Sequence, residues 1–258
     1  MGSGDLLVER DGSGVVTVTL NRPARKNAMT REGWIEFTRV LEEIAARADD
    51  RVLVLTGAGG EFCSGADLGA QGSGDSPRRA MQIVNAALFA LRDLPQPTIA
   101  AVSGAAVGAG FNMALACDLA VADETARFSQ IFSRRGLSVD FGGTWLLTHM
   151  VGLHRAKELA FFGRILSARE VHDLGLLNRV VPAGTALERA GEWARELLGL
   201  APLALAQTKE LLNSAAGGDF RESALREAAA QNLNGATEDT REAISAFLEK
   251  REPVFRNR

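Results

Sequence analysis

The chain has 258 residues and a mass of 27.5 kDa, with 46% hydrophobic and 24% charged residues and a net charge of −3. This is globular composition, which excludes a disordered chain, and 29 basic against 32 acidic residues exclude a global nucleic-acid footprint. Two cysteines in a chain this long exclude a disulfide framework and suit a reducing, cytoplasmic setting.

The length suggests one or two domains. Met1 to Gly14 lacks the charged-then-apolar pattern of a signal peptide. Val15 to Leu20 alternates β-branched residues with threonine and reads as a strand that Asn21-Arg22-Pro23 ends. Thr30 has the character of a helix N-cap. Trp34, Phe37, Leu41, Ile44 and Ala48 then mark one helical face, closed by Asp49-Asp50. Val52 to Leu55 is a short apolar run, as in a buried parallel strand. Strand, helix, strand opens an α/β protein.

Thr56 to Gly69 is a glycine-rich loop, and Gln71 to Pro77 a polar link. Ala80 to Leu91 reads as a helix. Thr98 to Cys117 carries no formal charge over twenty residues, long enough to cross a bilayer. Its glycines, with Ser103 and Asn112, make it small and polar for a span. It reads instead as a buried strand, Thr98 to Val102, running into a buried helix, Gly110 to Cys117. Leu119 to Ala122 is a further strand. From Gly143 the pattern is mainly helical, ending in Ser223 to Arg251. These readings divide the chain into an α/β core over 1–200 and a helical region over 201–258.

Several chemistries are excluded by motif. There is no GxxxxGK[ST], and Gly104, Gly108 and Gly110 do not form GxGxxG, so neither nucleotide signature is present. His149, His154 and His172 share no metal-ligand spacing with cysteines or acids. Cys63 and Cys117 have no histidine near them in sequence and read as small buried residues. Two glycine-rich segments remain, Glu61 to Leu68 and Val102 to Asn112, each read as a strand-to-helix passage. Glycine there permits tight turns and close backbone approach. Two free N–H groups converging at such turns would make an oxyanion hole; the plain alternative is turns and close helix packing.

Leu20-Asn21-Arg22-Pro23 with Asn27-Ala28, then Phe62-Cys63-Ser64-Gly65-Ala66-Asp67-Leu68, then Ala100 to Asp118 form an ordered set. It continues with Ala126-Arg127-Phe128, Gly142-Gly143-Thr144, Gly163 with Ala168 to Gly175, and Ala246-Phe247-Leu248-Glu249-Lys250-Arg251. Each motif is weak alone. The ordered set resembles the crotonase superfamily, also called the enoyl-CoA hydratase/isomerase family, over essentially the whole chain. The resemblance implies β-β-α units wound into a right-handed spiral, then a helical C-terminal region that mediates trimerisation, with trimers often paired into hexamers. It implies acyl-CoA thioesters as substrates and stabilisation of a thioester enolate. CoA is then part of the substrate, and no separate cofactor, metal, nucleic acid or membrane partner is expected.

By motif position, the resemblance assigns the oxyanion donors to the backbone N–H groups of Ala66 and Ala109. It places Asn112 and Phe132 where family hydratases carry two glutamates. Neither residue can activate water, which needs a proton acceptor. A different acid, Asp140, stands in Gly136-Leu137-Ser138-Val139-Asp140-Phe141-Gly142-Gly143-Thr144-Trp145, where family isomerases carry theirs. The Gly108-Ala109-Gly110-Phe111-Asn112 stretch also resembles the ring-epoxyphenylacetyl-CoA isomerases. One acid suffices to move a proton between two carbons on one face. Phe132, Phe141 and Trp145 are expected to make its surroundings apolar; a capping or turn aspartate is the plain alternative. Asn112 is expected to bond substrate or to orient Asp140. Asp67 is expected to steady the oxyanion loop through backbone N–H bonds.

The same register implies CoA contacts from Ala28 and from Ser64, Gly65, Ala66, Asp67 and Leu68. It offers Arg25 and Lys26 to the phosphates, and Phe247 and Lys250 from a neighbouring subunit. Gln71 to Pro77 is a candidate flap. The reading is an acyl-CoA isomerase, with an atypical hydratase and a non-catalytic acyl-CoA binder as its rivals.

Overall fold

A computed structural model describes residues 4–70 and 76–256. Strands β1 (Leu6–Arg10) and β2 (Val15–Leu20) form an antiparallel hairpin, with Leu6 opposite Leu20. Asp11 makes the turn by accepting from the Ser13 and Val15 N–H groups. Strand β1 has no alternating signature in the sequence.

Helix α1 (Arg31–Ala46) starts where Thr30 Oγ1 accepts from Gly33 N at 2.9 Å. Trp34, Phe37, Leu41 and Ile44 are buried along its inner face. The helix ends at Ala46 rather than at the aspartates, and Ala48 is exposed beyond it. Asp50 has another task. It is buried and takes the Arg10 guanidinium at 3.0 Å, pinning the end of β1.

The main sheet adds β3 (Val52–Gly57), β4 (Thr98–Val102), β6 (Leu119–Asp123) and β9 (Arg179–Val181) in the order β1-β2-β3-β4-β6-β9, parallel from β2 onward. The apolar run in β3 follows from cover on both faces. Val52 and Val54 pack with Ile99 and Val121 against Ala186, Ala190 and Ala194 of α6 (Ala186–Leu198). Leu53 and Leu55 face the larger core with α1 and α2 (Pro77–Arg92). Helix α2 begins at Pro77, capped by Ser76, so the polar link ends one residue earlier than its composition suggests. Residues 71–75 of that link lie outside the described residues.

The uncharged stretch resolves into β4, then β5 (Ala105–Val107), then α3 (Ala109–Ala116). Every residue of α3 is buried. A second sheet joins β5 to β7 (Arg127–Ser129) and β8 (Leu166–Ser167). The chain thus returns from the small sheet through α3 to β6 of the large one. After β7 come a short turn at Ile131–Arg135, the long α4 (Gly143–Phe162, broken at Gly152), then β8, α5 (Ala168–Asp173) and β9. Sequence periodicity reads this part as helical, because β8 and β9 have two and three residues.

Helices α7 (Pro202–Ala215), α8 (Phe220–Gly235) and α9 (Glu238–Glu249) complete the described chain. Lys209 of α7 anchors to the core through Asp118 at 2.7 Å and the Gln96 carbonyl at 3.0 Å. Among the described residues, no helix is long and apolar enough to cross a membrane.

The site depends on one close approach. A Cβ on Gly110 would stand 2.1 Å from the Cys63 carbonyl oxygen. Gly110→Ala should therefore force α3 from the 62–67 loop and cost about 1–3 kcal/mol, as overpacking typically does. Urea unfolding checks this: the midpoint should fall with an unchanged slope.

Candidate active site

The loop from Glu61 to Leu68 is clamped from two sides. Cys63 N donates to Ala105 O at 2.8 Å and Val107 N to Cys63 O at 2.9 Å, so Cys63 extends the small sheet beside β5. On the other side Met29 N donates to Gly65 O at 2.8 Å and Asp67 N to Met29 O at 2.9 Å. In a parallel bridge of this kind the central residue, Ala66, turns its own N–H away from Met29. That corrects the sequence expectation for this segment. It is followed by a short 3-10 turn at Leu68–Ala70, not by a helix, and bridge geometry rather than a helix start frees the Ala66 N–H.

The second segment is a strand-to-helix passage. Gly108 has φ 57° and ψ −124°, a conformation open to glycine. Its N–H donates to Ser129 O at 2.8 Å, and its carbonyl accepts from Asn112 N at 3.1 Å. The Ala109 N–H begins α3 and so has no acceptor within the helix. Gly65 lies against this point, since a Cβ there would be 3.5 Å from Ala109 N. Among the described residues, neither the Ala66 nor the Ala109 N–H donates to another protein group.

The expected CoA residues divide into two groups. Arg25, Lys26, Ala28 and Ser64 to Asp67 share one edge: Ser64 N donates to Lys26 O at 2.9 Å, and Ser64 Oγ to Arg25 O at 3.2 Å. Asp67 pairs with Arg22 at 3.0 Å, which holds its carboxyl below the usual range despite partial burial and steadies the loop. Lys26 already meets Glu61 at 2.9 Å, while Arg25 is exposed. Leu68 is exposed beside them. Phe247, 82% exposed, and Lys250 lie at the end of α9 and make no hydrogen bond or ion pair with this edge among the described residues.

Asp140 stands two residues before Gly142, the residue that flanks α4. Burial pushes its carboxyl up to about 6. Its Oδ1 is buried with no hydrogen-bond partner and no side chain caps α4, so its carboxyl is not a cap, although Asp140 does open the turn that its carbonyl closes with Gly143 N. The backbone is held instead. Asp140 O accepts from Asn112 Nδ2 at 2.8 Å and from Gly143 N at 3.0 Å. Asn112 is wholly buried, and its Oδ1 accepts from Gln130 Nε2 at 2.7 Å. Of the two parts expected for Asn112, this geometry matches orientation of Asp140, because both ends of its amide are occupied.

The apolar surroundings differ in part from expectation. Phe141, wholly buried, packs on Trp34 with ring centroids 5.2 Å apart. Phe132 is buried, and a Cβ on Gly108 would be 3.6 Å from its ring. Trp145 is exposed and keeps polar company: it stacks on His149 at 3.9 Å and lies under the Arg92 guanidinium at 4.6 Å. A cleft of about 440 Å³ opens beyond Phe132, lined by Leu137, Val139, Leu147, Ala156 and Phe161. Burial pushes the Cys63 and Cys117 thiols up to about 12, which disfavours the nucleophilic thiolate at neutral pH. The described residues hold no cluster of three or more metal-ligating side chains. Sequence reasoning missed Gln130, because β7, the strand it follows, has three residues and no periodicity to mark it.

A family model described as enoyl-CoA hydratase/isomerase matches residues 10–258. The chain is 38% identical to a 1,2-epoxyphenylacetyl-CoA isomerase of Escherichia coli over 94% of this chain and 95% of that one. It is 33% identical to a short-chain-enoyl-CoA hydratase of Clostridium acetobutylicum over 98% of each. Among solved structures, an enoyl-CoA hydratase from Bacillus anthracis superposes with a TM-score of 0.94 at 33% identity, covering 98% of this chain and 100% of that one.

The raised Asp140 carboxyl makes a stability prediction. The folded state binds this proton more tightly than the unfolded chain, whose carboxyl has its ordinary value of 3.8. That contribution is present below 3.8 and is lost as pH rises through about 6. Asp140→Asn, which cannot ionise, should melt higher than the parent at pH 7.5 and level with it near pH 4. A gain of about 2–4 °C corresponds to roughly 1 kcal/mol in a chain of this size. Thermal melts of both proteins across that range check it.

Proposed function

The chain belongs to the enoyl-CoA hydratase/isomerase family, and within it we propose an acyl-CoA isomerase that shifts a double bond, or rearranges a ring-bearing acyl group, by proton transfer through Asp140. The observation that carries the reading is a single carboxyl, desolvated and without a partner at Oδ1, in a site that has Asn112 and Phe132 where family hydratases carry glutamates. The identity to the epoxyphenylacetyl-CoA isomerase supports the same class.

In this mechanism the Asp140 carboxylate removes a proton from a carbon activated by the thioester. The C–H electron pair moves into the conjugated system and charge collects on the thioester oxygen. The Ala66 and Ala109 N–H groups receive that oxygen. They act by binding it more strongly as charge develops than in the ground state. One such donor is typically worth about 2.7–4 kcal/mol. The protonated Asp140 then returns the proton to a different carbon, so the carboxylate is regenerated and no mass changes. The transfer as written needs no cofactor beyond the CoA that the substrate carries. Arg25, Lys26, Ala28 and Ser64 to Leu68 form the CoA edge, with Phe247 and Lys250 supplied by a neighbouring subunit.

That last assignment needs an oligomer. Leu212, Phe220, Leu225, Leu233, Phe247 and Leu248 are between 64% and 90% exposed, and the residues beyond 200 form the helical region that another copy would cover. This exposure supports the reading of a trimer or a hexamer, and two cysteines free of a disulfide support the reading of a reducing, cytoplasmic setting.

Hydratase-named relatives keep a second reading alive: weak hydration in an atypical site. Incubation with a 3-enoyl-CoA and, separately, a 2-enoyl-CoA separates them. A double-bond shift without mass change, reduced at least a hundredfold in Asp140→Asn with binding retained, is the expected result. Addition of one water at a hydratase-like rate would overturn it, and binding without turnover would make the protein a binder. In the ligand-free enzyme kcat/KM should rise with pH through about 6, where Asp140 loses its proton. Light scattering should give three or six times the chain mass; a monomer would remove Phe247 and Lys250 from the site.

A further inference from the structure

Gln130 is buried, 1% exposed, directly after β7 at the start of the Ile131–Arg135 turn. Its own strand is held firmly: Gly108 N donates to Ser129 O at 2.8 Å, and Ser129 Oγ donates to Gly163 O at 3.1 Å. From this fixed base its Nε2 reaches Asn112 Oδ1 at 2.7 Å, and Asn112 Nδ2 reaches Asp140 O at 2.8 Å. The direction of both amides is dictated from the far end. A backbone carbonyl can only accept, so Asn112 must present nitrogen to Asp140 and oxygen to Gln130. Gln130 must then present nitrogen, which leaves its Oε1 buried with no partner. An orphaned buried acceptor typically costs about 1–3 kcal/mol. A hydrocarbon side chain of the same length would avoid that cost, but it could not orient Asn112.

We propose that Gln130 is a positioning residue for this site: it locks the Asn112 amide, and Asn112 in turn locks the backbone that carries Asp140. The inference rests on the reading of Asp140 as the proton carrier. Without Gln130, the Asn112 Oδ1 loses its donor, and the amide is held by the Asp140 carbonyl alone. The segment 136–142 belongs to neither sheet, so Asn112 and Gly143 are its anchors at Asp140. Misplacement of a reacting group by about 1 Å can cost a hundredfold in rate.

The test is Gln130→Met, near-isosteric and unable to donate, assayed on 3-enoyl-CoA beside the parent and Asp140→Asn. The expected result is kcat lowered about tenfold or more with KM within about twofold, in a protein that still melts cooperatively. In an Asn112→Ala background the same change should cost less than about twofold, since the intermediary is already gone. Additive losses, or a loss confined to KM, would overturn the proposal. Should Gln130→Met not fold, Gln130→Glu keeps the shape: its kcat should fall once the carboxyl ionises and loses its proton donor, and constant kcat from pH 6 to 9 would refute the role. If Asp140→Asn loses turnover while Gln130→Met keeps it, the proposal alone fails. If Asp140→Asn turns over like the parent, or the parent moves no double bond, the reading of Asp140 fails and this inference with it.

Discussion

The contact of the Cys63 carbonyl with the Cα of Gly110 governs the rest of the site. It is possible only because position 110 has no Cβ, and it seats the 62–67 loop on the first turn of α3. Everything else follows from this seating. Cys63 becomes a strand partner of Ala106, Gly65 reaches Ala109, and Met29 clamps the far side of Ala66. Two backbone N–H groups from segments more than forty residues apart are left unspent as a consequence. The fold surrounding them is correspondingly rigid: α3 is buried over its whole length, and β4 beside it is buried on both faces.

The polar interior divides by purpose. Away from the site, buried charges are compensated. Asp50 has Arg10, and Asp123 accepts from Ser103, Thr125 and Gly184. Asp140 breaks the pattern, with burial raising its proton affinity and no cation or donor offsetting it. A carboxyl neutralised by an arginine would be a poor base near neutral pH, whereas one desolvated toward about 6 is suited to take and return a proton. The lack of compensation at Asp140 is therefore what the proposed chemistry requires, at the expense of stability.

The sheet core was legible where local pattern and tertiary role agree. Val15 to Leu20, Val52 to Leu55 and Thr98 to Val102 read as strands because both faces are covered and the residues are β-branched or small. Thr30 read as a cap because hydroxyl and helix start coincide. Strands β5, β7, β8 and β9 escaped, since two or three residues hold no periodicity and their pairing is set by distant partners. The face assigned through Ala48 ran past the helix because an apolar residue at the right spacing does not report that the chain has already turned. At the site, Asp140 became visible through family register, not through its neighbours in sequence. Gln130 stayed hidden because a buried amide is defined by what it faces, and its partner Asn112 lies 18 positions away along the chain.

The four buried acceptors without partners among the described residues sharpen this contrast. They are Gln96 Oε1, Gln207 Oε1, Gln130 Oε1 and Asp140 Oδ1. Gln96 spends its nitrogen on the Ile44 and Asp50 carbonyls, tying the loop before β4 to the end of α1. Gln130 and Asp140 are instead the two ends of one chain of contacts, joined by a single asparagine. The direction of this chain is set at one end by the Asp140 backbone carbonyl, which can only accept, and the unpaired Gln130 Oε1 at the other end is the result. A network built for stability alone would close on itself. This one ends on the backbone carbonyl of the residue that the proposed chemistry uses.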